Sequence, residues 1–282
     1  MKDTILFGDC RKTISTITEP VKMCVTSPPY YGLRDYGGED DQIGMEESPE
    51  KYVDQLVEVF RNVREVLTDD GTLWLNIGDS YYNYRSDGNY PKQTVSKTRQ
   101  DLPTKTPVRG NKLEGYKSKD LIGIPWLLAF ALRKDGWYLR QDIIWNKPNP
   151  MPDSVRDRCT KSHEYIFLFS KSKNYYFDVD AIKESTIDGK GLKRKKSVWT
   201  VNTKPYKGAH FATFPPELIE PCIMAGSQKG DIILDPFMGS GTTGMVSKSL
   251  GRYYIGCELH ESYNDLIQNR VSQYTINLED FV

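Results

Sequence analysis

Seven short apolar runs, each bounded by turn-forming residues, alternate along the chain with stripes of helical period, and this leaves few architectures open. The runs are residues 4–7, 22–26, 72–77, 140–145, 165–170, 232–234 and 253–257. Runs this short, without polar alternation, read as strands buried on both faces and therefore parallel. Between them, residues 50–67 place Val53, Leu56, Val57, Phe60, Val63 and Leu67 on one helical stripe. Residues 124–133, 216–225, 242–250 and 262–274 read as further helices, the second of them with proline in its first turn. Alternation of this kind predicts an α/β domain with a mostly parallel sheet, for which 282 residues suffice, inserted loops included.

Two stretches break the pattern. Residues 80–118 and 182–210 are polar and basic without usable periodicity, and the second contains Lys190-Gly-Leu-Lys-Arg-Lys-Lys196. Long loops inside a compact domain are functional or mobile. The net charge is zero, with 38 basic and 38 acidic residues, so no global signature of a polyanion binder exists. The charge is segregated, however. From Asp35 to Asp70 only Lys51, Arg61 and Arg64 oppose the acidic residues, whereas 85–119 and 183–207 are basic. That fits one face for a polyanion, or a set of solvated loops.

Cys10, Cys24, Cys159, Cys222 and Cys257 show no close pairing, which speaks against a disulfide framework or a zinc site. No metal is expected. The N-terminus lacks an apolar signal core and no stretch reaches membrane-spanning length, so a reduced, cytoplasmic protein without a membrane partner is expected.

Residues 231–243, DIILDPFMGSGTT, read as strand, glycine turn and helix start. Gly239 and Gly241 let the backbone approach a ligand, and Thr242 is placed to cap the helix. No Gly-Lys-Ser/Thr follows, which excludes a phosphate-binding P-loop. About twenty positions on, the next strand ends in Glu258, where a nucleotide-binding unit keeps a carboxylate for ribose hydroxyls. Either feature alone also serves a plain strand–helix corner or a surface carboxylate.

The run 22–26 leads directly into Ser27-Pro28-Pro29-Tyr30. Two prolines fix the backbone and remove two amide donors, leaving carbonyls as outward acceptors. Acceptors beside an aromatic ring suit a planar ligand bearing an NH2 group, although most such strings are ordinary proline turns.

Together, TSPPYYGLRDYG and DPFMGSGTT closely resemble the amino-methyltransferases of DNA that modify cytosine N4 or adenine N6. They match the permuted, beta-type group in which the catalytic loop precedes the cofactor loop. Residues 66–79, 142–152, 162–171 and 209–218 resemble its intervening blocks, so the likeness covers most of the chain outside the basic loops. It implies a circularly permuted, Rossmann-like S-adenosylmethionine-dependent methyltransferase fold with inserted DNA-recognition loops. Residues 1–181 would form the catalytic half, with an insert at about 80–120. Residues 182–210 would form a short target-recognition region, and 211–282 the cofactor-binding half. The N-terminal run ending in Asp9 would supply the strand that the C-terminal half lacks, so that the two ends meet in space.

The resemblance also implies roles. Asp9, Cys10, Thr26, Phe214, Pro215, Asp235, Pro236, Phe237, Gly239, Ser240, Gly241, Thr242 and Glu258 would form the S-adenosyl-L-methionine site, with Glu258 at the ribose and Asp9 at the adenine. Ser27, Pro28, Pro29 and Tyr30 would receive a base flipped out of double-stranded DNA. Lys193, Arg194, Lys195 and Lys196 would neutralise phosphates. A leading serine in the loop favours cytosine N4 over adenine N6. An RNA or small-molecule methyltransferase and a non-catalytic DNA binder remain alternatives. The expected partners are double-stranded DNA and a separate restriction endonuclease, with the enzyme a monomer or homodimer in a prokaryotic or phage-encoded setting. His163, His210 and His260 have no Ser/Asp company and receive no catalytic role.

Overall fold

A computed structural model describes residues 1–32, 42–82, 113–204 and 214–272 of the chain. Eight strands form one sheet. In spatial order they are β1 (Thr4–Phe7), β10 (Tyr253–Glu258), β9 (Ile232–Asp235), β2 (Val21–Thr26), β3 (Leu67–Ile77), β5 (His163–Ser170), β4 (Tyr138–Asn146) and β8 (Val198–Thr200). Six helices accompany them: α1 (Cys10–Thr13), α2 (Pro49–Val66), α3 (Ile124–Lys134), α4 (Pro216–Gly226), α5 (Thr242–Ser249) and α6 (Asn264–Ser272). Two short strands, β6 (Glu184–Ser185) and β7 (Leu192–Lys193), pair as a separate antiparallel ribbon.

The chain therefore builds the predicted α/β domain. Every neighbouring pair in the large sheet is parallel except those of β5, which runs antiparallel to both β3 and β4. The expectation of a parallel strand at 165–170 is thus corrected. A parallel neighbour needs a crossover, usually helical. Residues 147–162 contain no helix, so the chain turns at the carboxyl end of β4 and comes straight back. The reading of 182–210 as structureless is also corrected, because β8 extends the sheet. Trp199 anchors it, 5% exposed, with its indole donating to the Lys196 carbonyl at 2.7 Å. Strands of two or three residues are too short to show a period.

Alternation along β3 divides the core. Leu73, Leu75 and Ile77 face α2 and α3, with Leu56, Phe60, Leu128 and Leu132. Trp74 points to the opposite face and joins Met23, Leu218, Ile223 and Val246 under α4 and α5. The helix α2 begins on a Ser48 cap whose hydroxyl accepts the Lys51 N–H at 3.3 Å, with Pro49 in its first turn. It ends where Leu67 turns extended and enters β3. Layers on both faces leave the carboxyl edge of the parallel strands as the place where loops gather.

β1 pairs in parallel with β10, Thr4 opposite Ile255 through Phe7 opposite Glu258, so residues near the two ends of the chain lie side by side. All five cysteines are free, and only Cys159 is exposed. Among the described residues no helix is long and apolar enough to cross a membrane. Residues 33–41, 83–112, 205–213 and 273–282 lie outside the described residues. With them go the Leu33–Gly37 end of the first motif, most of the insert, and His210.

Candidate active site at the carboxyl edge of the sheet

β2 and β9 are neighbours and end together, so the loops that follow them start side by side. The contact that fixes them is Asp235. Its carboxylate is 2% exposed and accepts the Thr26 hydroxyl at 2.5 Å, the Thr243 hydroxyl at 2.5 Å and the Phe237 N–H at 3.0 Å. Burial pushes its pKa up, and the three donors oppose that shift. Both carboxylate oxygens are therefore engaged within the protein, and the side chain supports the site rather than lining it.

The glycine turn lies next to Asp235. Gly239 has φ +53° and Gly241 φ +83°. A Cβ on Gly241 would sit 3.1 Å from Ile267 Cγ2 and 3.3 Å from its Cα, so α6 packs against bare backbone there. A Cβ on Gly239 would meet only the Phe237 carbonyl, at 3.8 Å, so that position faces open space. The expected Thr242 cap is not formed. Gly241 itself caps α5 without a side-chain bond, because its left-handed backbone already turns the chain into the helix. Thr242 is the first helical residue, and Ser240 accepts a hydrogen bond from the buried Arg270 of α6.

Glu258 closes this cradle. Its carboxylate accepts the Gly239 N–H at 2.9 Å and the His260 N–H at 3.1 Å, and burial raises its pKa to about 7. Among the described residues His260 Nε2 is buried without a hydrogen-bond partner. Gly8 donates to the Glu258 carbonyl at 2.9 Å, which brings the following residue, Asp9, to the same edge. Asp9 caps α1 and holds the guanidinium of Arg11 at 2.9 Å. The Cys10 thiol is buried, and its pKa is pushed far up by that burial.

The Ser27–Tyr30 loop follows β2. Tyr52 from α2 donates its hydroxyl to the Pro29 carbonyl at 2.7 Å, and Gly32 N–H reaches the Gly44 carbonyl at 2.8 Å. Ser27 Oγ donates to the Tyr30 hydroxyl at 3.5 Å, and that hydroxyl donates to Glu164 Oε2 at 2.6 Å. Asn76 Nδ2 reaches the same carboxylate oxygen at 3.3 Å and the Tyr165 carbonyl at 3.1 Å, and Lys147 pairs with Oε1. Burial and the nearby Glu164 keep the Tyr30 phenol neutral, its pKa well above the ordinary value.

Of the residues singled out from sequence, Ser27, Pro29, Tyr30, Phe237, Gly239 and Glu258 combine a place at this edge with partial exposure. Pro236, Ser240, Gly241 and Thr242 are buried supports, and Pro28 is buried at the head of its loop. Phe214 packs into the core beneath α4, and Pro215 caps that helix. The basic run lies apart, along the ribbon and β8. Lys193 pairs with Glu184 at 3.7 Å, Lys195 lies 5.1 Å over the Trp199 ring, and Arg194 and Lys196 are exposed. Sequence reading missed Glu164, Lys147, Asn76 and Arg270, because each acts between elements that only the fold brings together.

A glycine cradle closed by an acidic strand end, beside a proline-fixed acceptor loop on a mostly parallel sheet, is the arrangement of an S-adenosylmethionine-dependent methyltransferase. The open face at Gly239 and the Glu258 carboxylate suit a nucleoside bearing hydroxyl donors. The profile of the DNA methylase family, the N6/N4 methyltransferases, matches residues 21–269, and the chain belongs to that family.

Its relatives include the type II methyltransferase M.Cfr9I of Citrobacter freundii, 49% identical over 280 residues, covering 98% of this chain and 89% of the relative. M.SmaI of Serratia marcescens is 50% identical over 273 residues, covering 95% and 90%. Among solved structures, the PvuII DNA methyltransferase, cytosine-N4-specific, superposes with a TM-score of 0.69 at 18% identity, covering 96% of this chain and 86% of that one. The M1.HpyAVI–SAM complex gives 0.60 at 18% identity, covering 95% and 98%. At these identities both share the fold. The chain is thus an S-adenosylmethionine-dependent DNA methyltransferase of the N6/N4 family.

Proposed function

We propose that this enzyme methylates the exocyclic N4 of cytosine in a specific double-stranded DNA sequence. The observation that carries the choice of base is Ser27 at the head of the Ser-Pro-Pro-Tyr loop, its hydroxyl beside the Tyr30 phenol. The permuted order of its motifs is part of the same reading, supported by the parallel pairing of β1 with β10.

When bound, S-adenosylmethionine supplies an electrophilic sulfonium methyl. The protein holds it with Gly239 and its neighbours against the cradle, Glu258 at the ribose hydroxyls, and Asp9 and Cys10 at the adenine. Thr26 and Asp235 keep the two loops in register. The target amine is a poor nucleophile, because its lone pair is delocalised into the ring. Accepting its protons on Ser27 Oγ and the Pro28 carbonyl, away from water, returns electron density to nitrogen. Tyr30 supports the base, and the fixed backbone of Pro28 and Pro29 orients the nitrogen in line with the methyl.

Arg194 and Lys196, exposed on the ribbon side, serve phosphates, and residues 182–210 serve target recognition between a catalytic half, 1–181, and a cofactor half, 211–282. The type II names of the relatives support a separate restriction endonuclease as functional partner and a cytoplasmic site of action, and we take the enzyme to act as a monomer or homodimer. The test is transfer of labelled methyl to duplex DNA, followed by mass spectrometry of the nucleosides. N4-methylcytosine is expected, and N6-methyladenine would refute the choice of base.

A further inference from the structure

We propose that Glu164 is a positioning residue for methyl transfer, one that anchors Tyr30 and ends a path, Ser27 to Tyr30 to Glu164, along which the target amine's proton leaves. This rests on the proposed reading of the Ser-Pro-Pro-Tyr loop.

The chemistry requires an exit for a proton. The nitrogen lone pair forms the N–C bond while the C–S electron pair stays with sulfur, and the nitrogen is left with the new methyl and a positive charge. One N–H proton must then be lost to give the neutral product. Ser27 Oγ is the protein group at the amine that can take it, but a hydroxyl holds an extra proton only by passing on its own. The structure provides the next two acceptors in order. Ser27 donates to Tyr30 Oη at 3.5 Å, and Tyr30 donates to Glu164 Oε2 at 2.6 Å. A shift of one proton along each bond neutralises the nitrogen and leaves Glu164 as a carboxylic acid, with no charge stranded on Ser27 or Tyr30.

The surroundings hold Glu164 in place at the end of this path. Its side chain is 15% exposed, and its second oxygen, Oε1, is taken by Lys147, itself 16% exposed. Oε2 is thereby left to Tyr30 and to Asn76 Nδ2 at 3.3 Å. Gly78 keeps the space clear. A Cβ there would stand 2.7 Å from Tyr30 Cε2 and 3.3 Å from Glu164 Cδ. Glu164 reaches this edge only because β5 runs antiparallel, so that its first turn of chain lies opposite the last residues of β3, with Tyr165 beside Ile77.

The experiment compares single-turnover methyl transfer with cofactor and DNA binding in the wild type and in Glu164→Gln, Glu164→Asp, Tyr30→Phe and the Tyr30→Phe/Glu164→Gln double variant. Glu164→Gln keeps the shape and loses the ability to take a proton. It is expected to slow transfer about 100-fold, within the usual range for a lost proton acceptor, with both dissociation constants within roughly threefold of wild type. Glu164→Asp is expected to be faster than Glu164→Gln, and the double variant no slower than its slower parent. A wild-type rate in Glu164→Gln, equal rates in the Asp and Gln variants, or losses that multiply in the double variant would overturn the proposal. If Glu164→Gln fails to fold, Tyr30→Phe decides, since it removes only the linking hydroxyl, and a wild-type rate there also overturns it. Absence of methyl transfer to DNA by the wild type would instead refute the proposed function, before any variant is compared.

Discussion

The hydroxyl of Thr26 donates to the carboxylate of Asp235 at 2.5 Å, across 209 residues of sequence, and joins the strand before the proline loop to the strand before the glycine turn. Replacing one donor to a buried carboxylate costs about 1.5–3 kcal/mol when nothing takes its place. Thr26→Val is expected to lower unfolding free energy by that amount and to slow methyl transfer, while Thr26→Ser retains most of both. Urea denaturation and single-turnover assays check the pair. A Thr26→Val protein with wild-type stability would show that the contact only fills space.

Glu258 predicts a pH dependence of stability. Its pKa rises from the ordinary 4.5 to about 7 on folding in the ligand-free protein, because burial disfavours the charge. The folded state then holds a proton that the unfolded chain has released. This contribution is present in full below pH 4.5, fades between 4.5 and 7, and is gone above 7. Relative to Glu258→Gln, the wild type should lose stability across that window, by roughly 3 kcal/mol at most. Parallel melting curves for the two proteins would refute the assignment.

The same residue predicts that cofactor affinity changes in the opposite sense. In the proposed cofactor site ribose hydroxyls would donate to the charged carboxylate, so that binding would expel the proton. The dissociation constant for S-adenosylmethionine should fall as pH rises from about 6 to 8, by up to about tenfold per pH unit below the pKa. Titration calorimetry in buffers of different ionisation enthalpy would register the released proton. Glu258→Gln should bind more weakly and without that dependence.

Gly239 and Gly241 should separate stability from binding. Gly241→Ala forces a Cβ to within 3.3 Å of the Ile267 Cα at φ +83°, and should destabilise the fold by about 1–3 kcal/mol. Gly239→Ala at φ +53° meets no neighbour closer than 3.8 Å. Its cost should stay near 1 kcal/mol, with the loss falling on cofactor affinity. Thermal melts with and without cofactor distinguish the two outcomes.

Charge removal on the ribbon side should show in the salt dependence of DNA binding. Arg194→Ala with Lys196→Ala is expected to reduce the slope of log affinity against log salt by about 2, roughly one per phosphate contact. Lys193→Ala should change it little, since Glu184 already faces that ammonium at 3.7 Å. An unchanged slope in the double variant would remove this side of the molecule from the DNA interface.

Among the described residues, sequence reading located the seven longer strands of the large sheet and the five longer helices because burial on both faces writes itself as short apolar runs, as at residues 72–77 within β3. Periodicity does not carry direction. A strand reads alike either way, so β5 was legible as a strand and not as an antiparallel one. Glu164 was invisible as a partner of Tyr30 for that reason. Motif residues such as Gly239 and Glu258 were legible through their spacing. Supports such as Arg270 beneath Ser240 depend on which helix face meets which turn, and one sequence does not record that meeting.

The pairing of β1 with β10 also sets a clock on synthesis. β1 leaves the ribosome roughly 250 residues before the strand it pairs with. At about 5–20 residues per second, β1 waits some tens of seconds for that strand. A chain interrupted anywhere in between has neither Glu258 nor the strand that carries it. A partial product therefore lacks the strand end on which the proposed cofactor site depends.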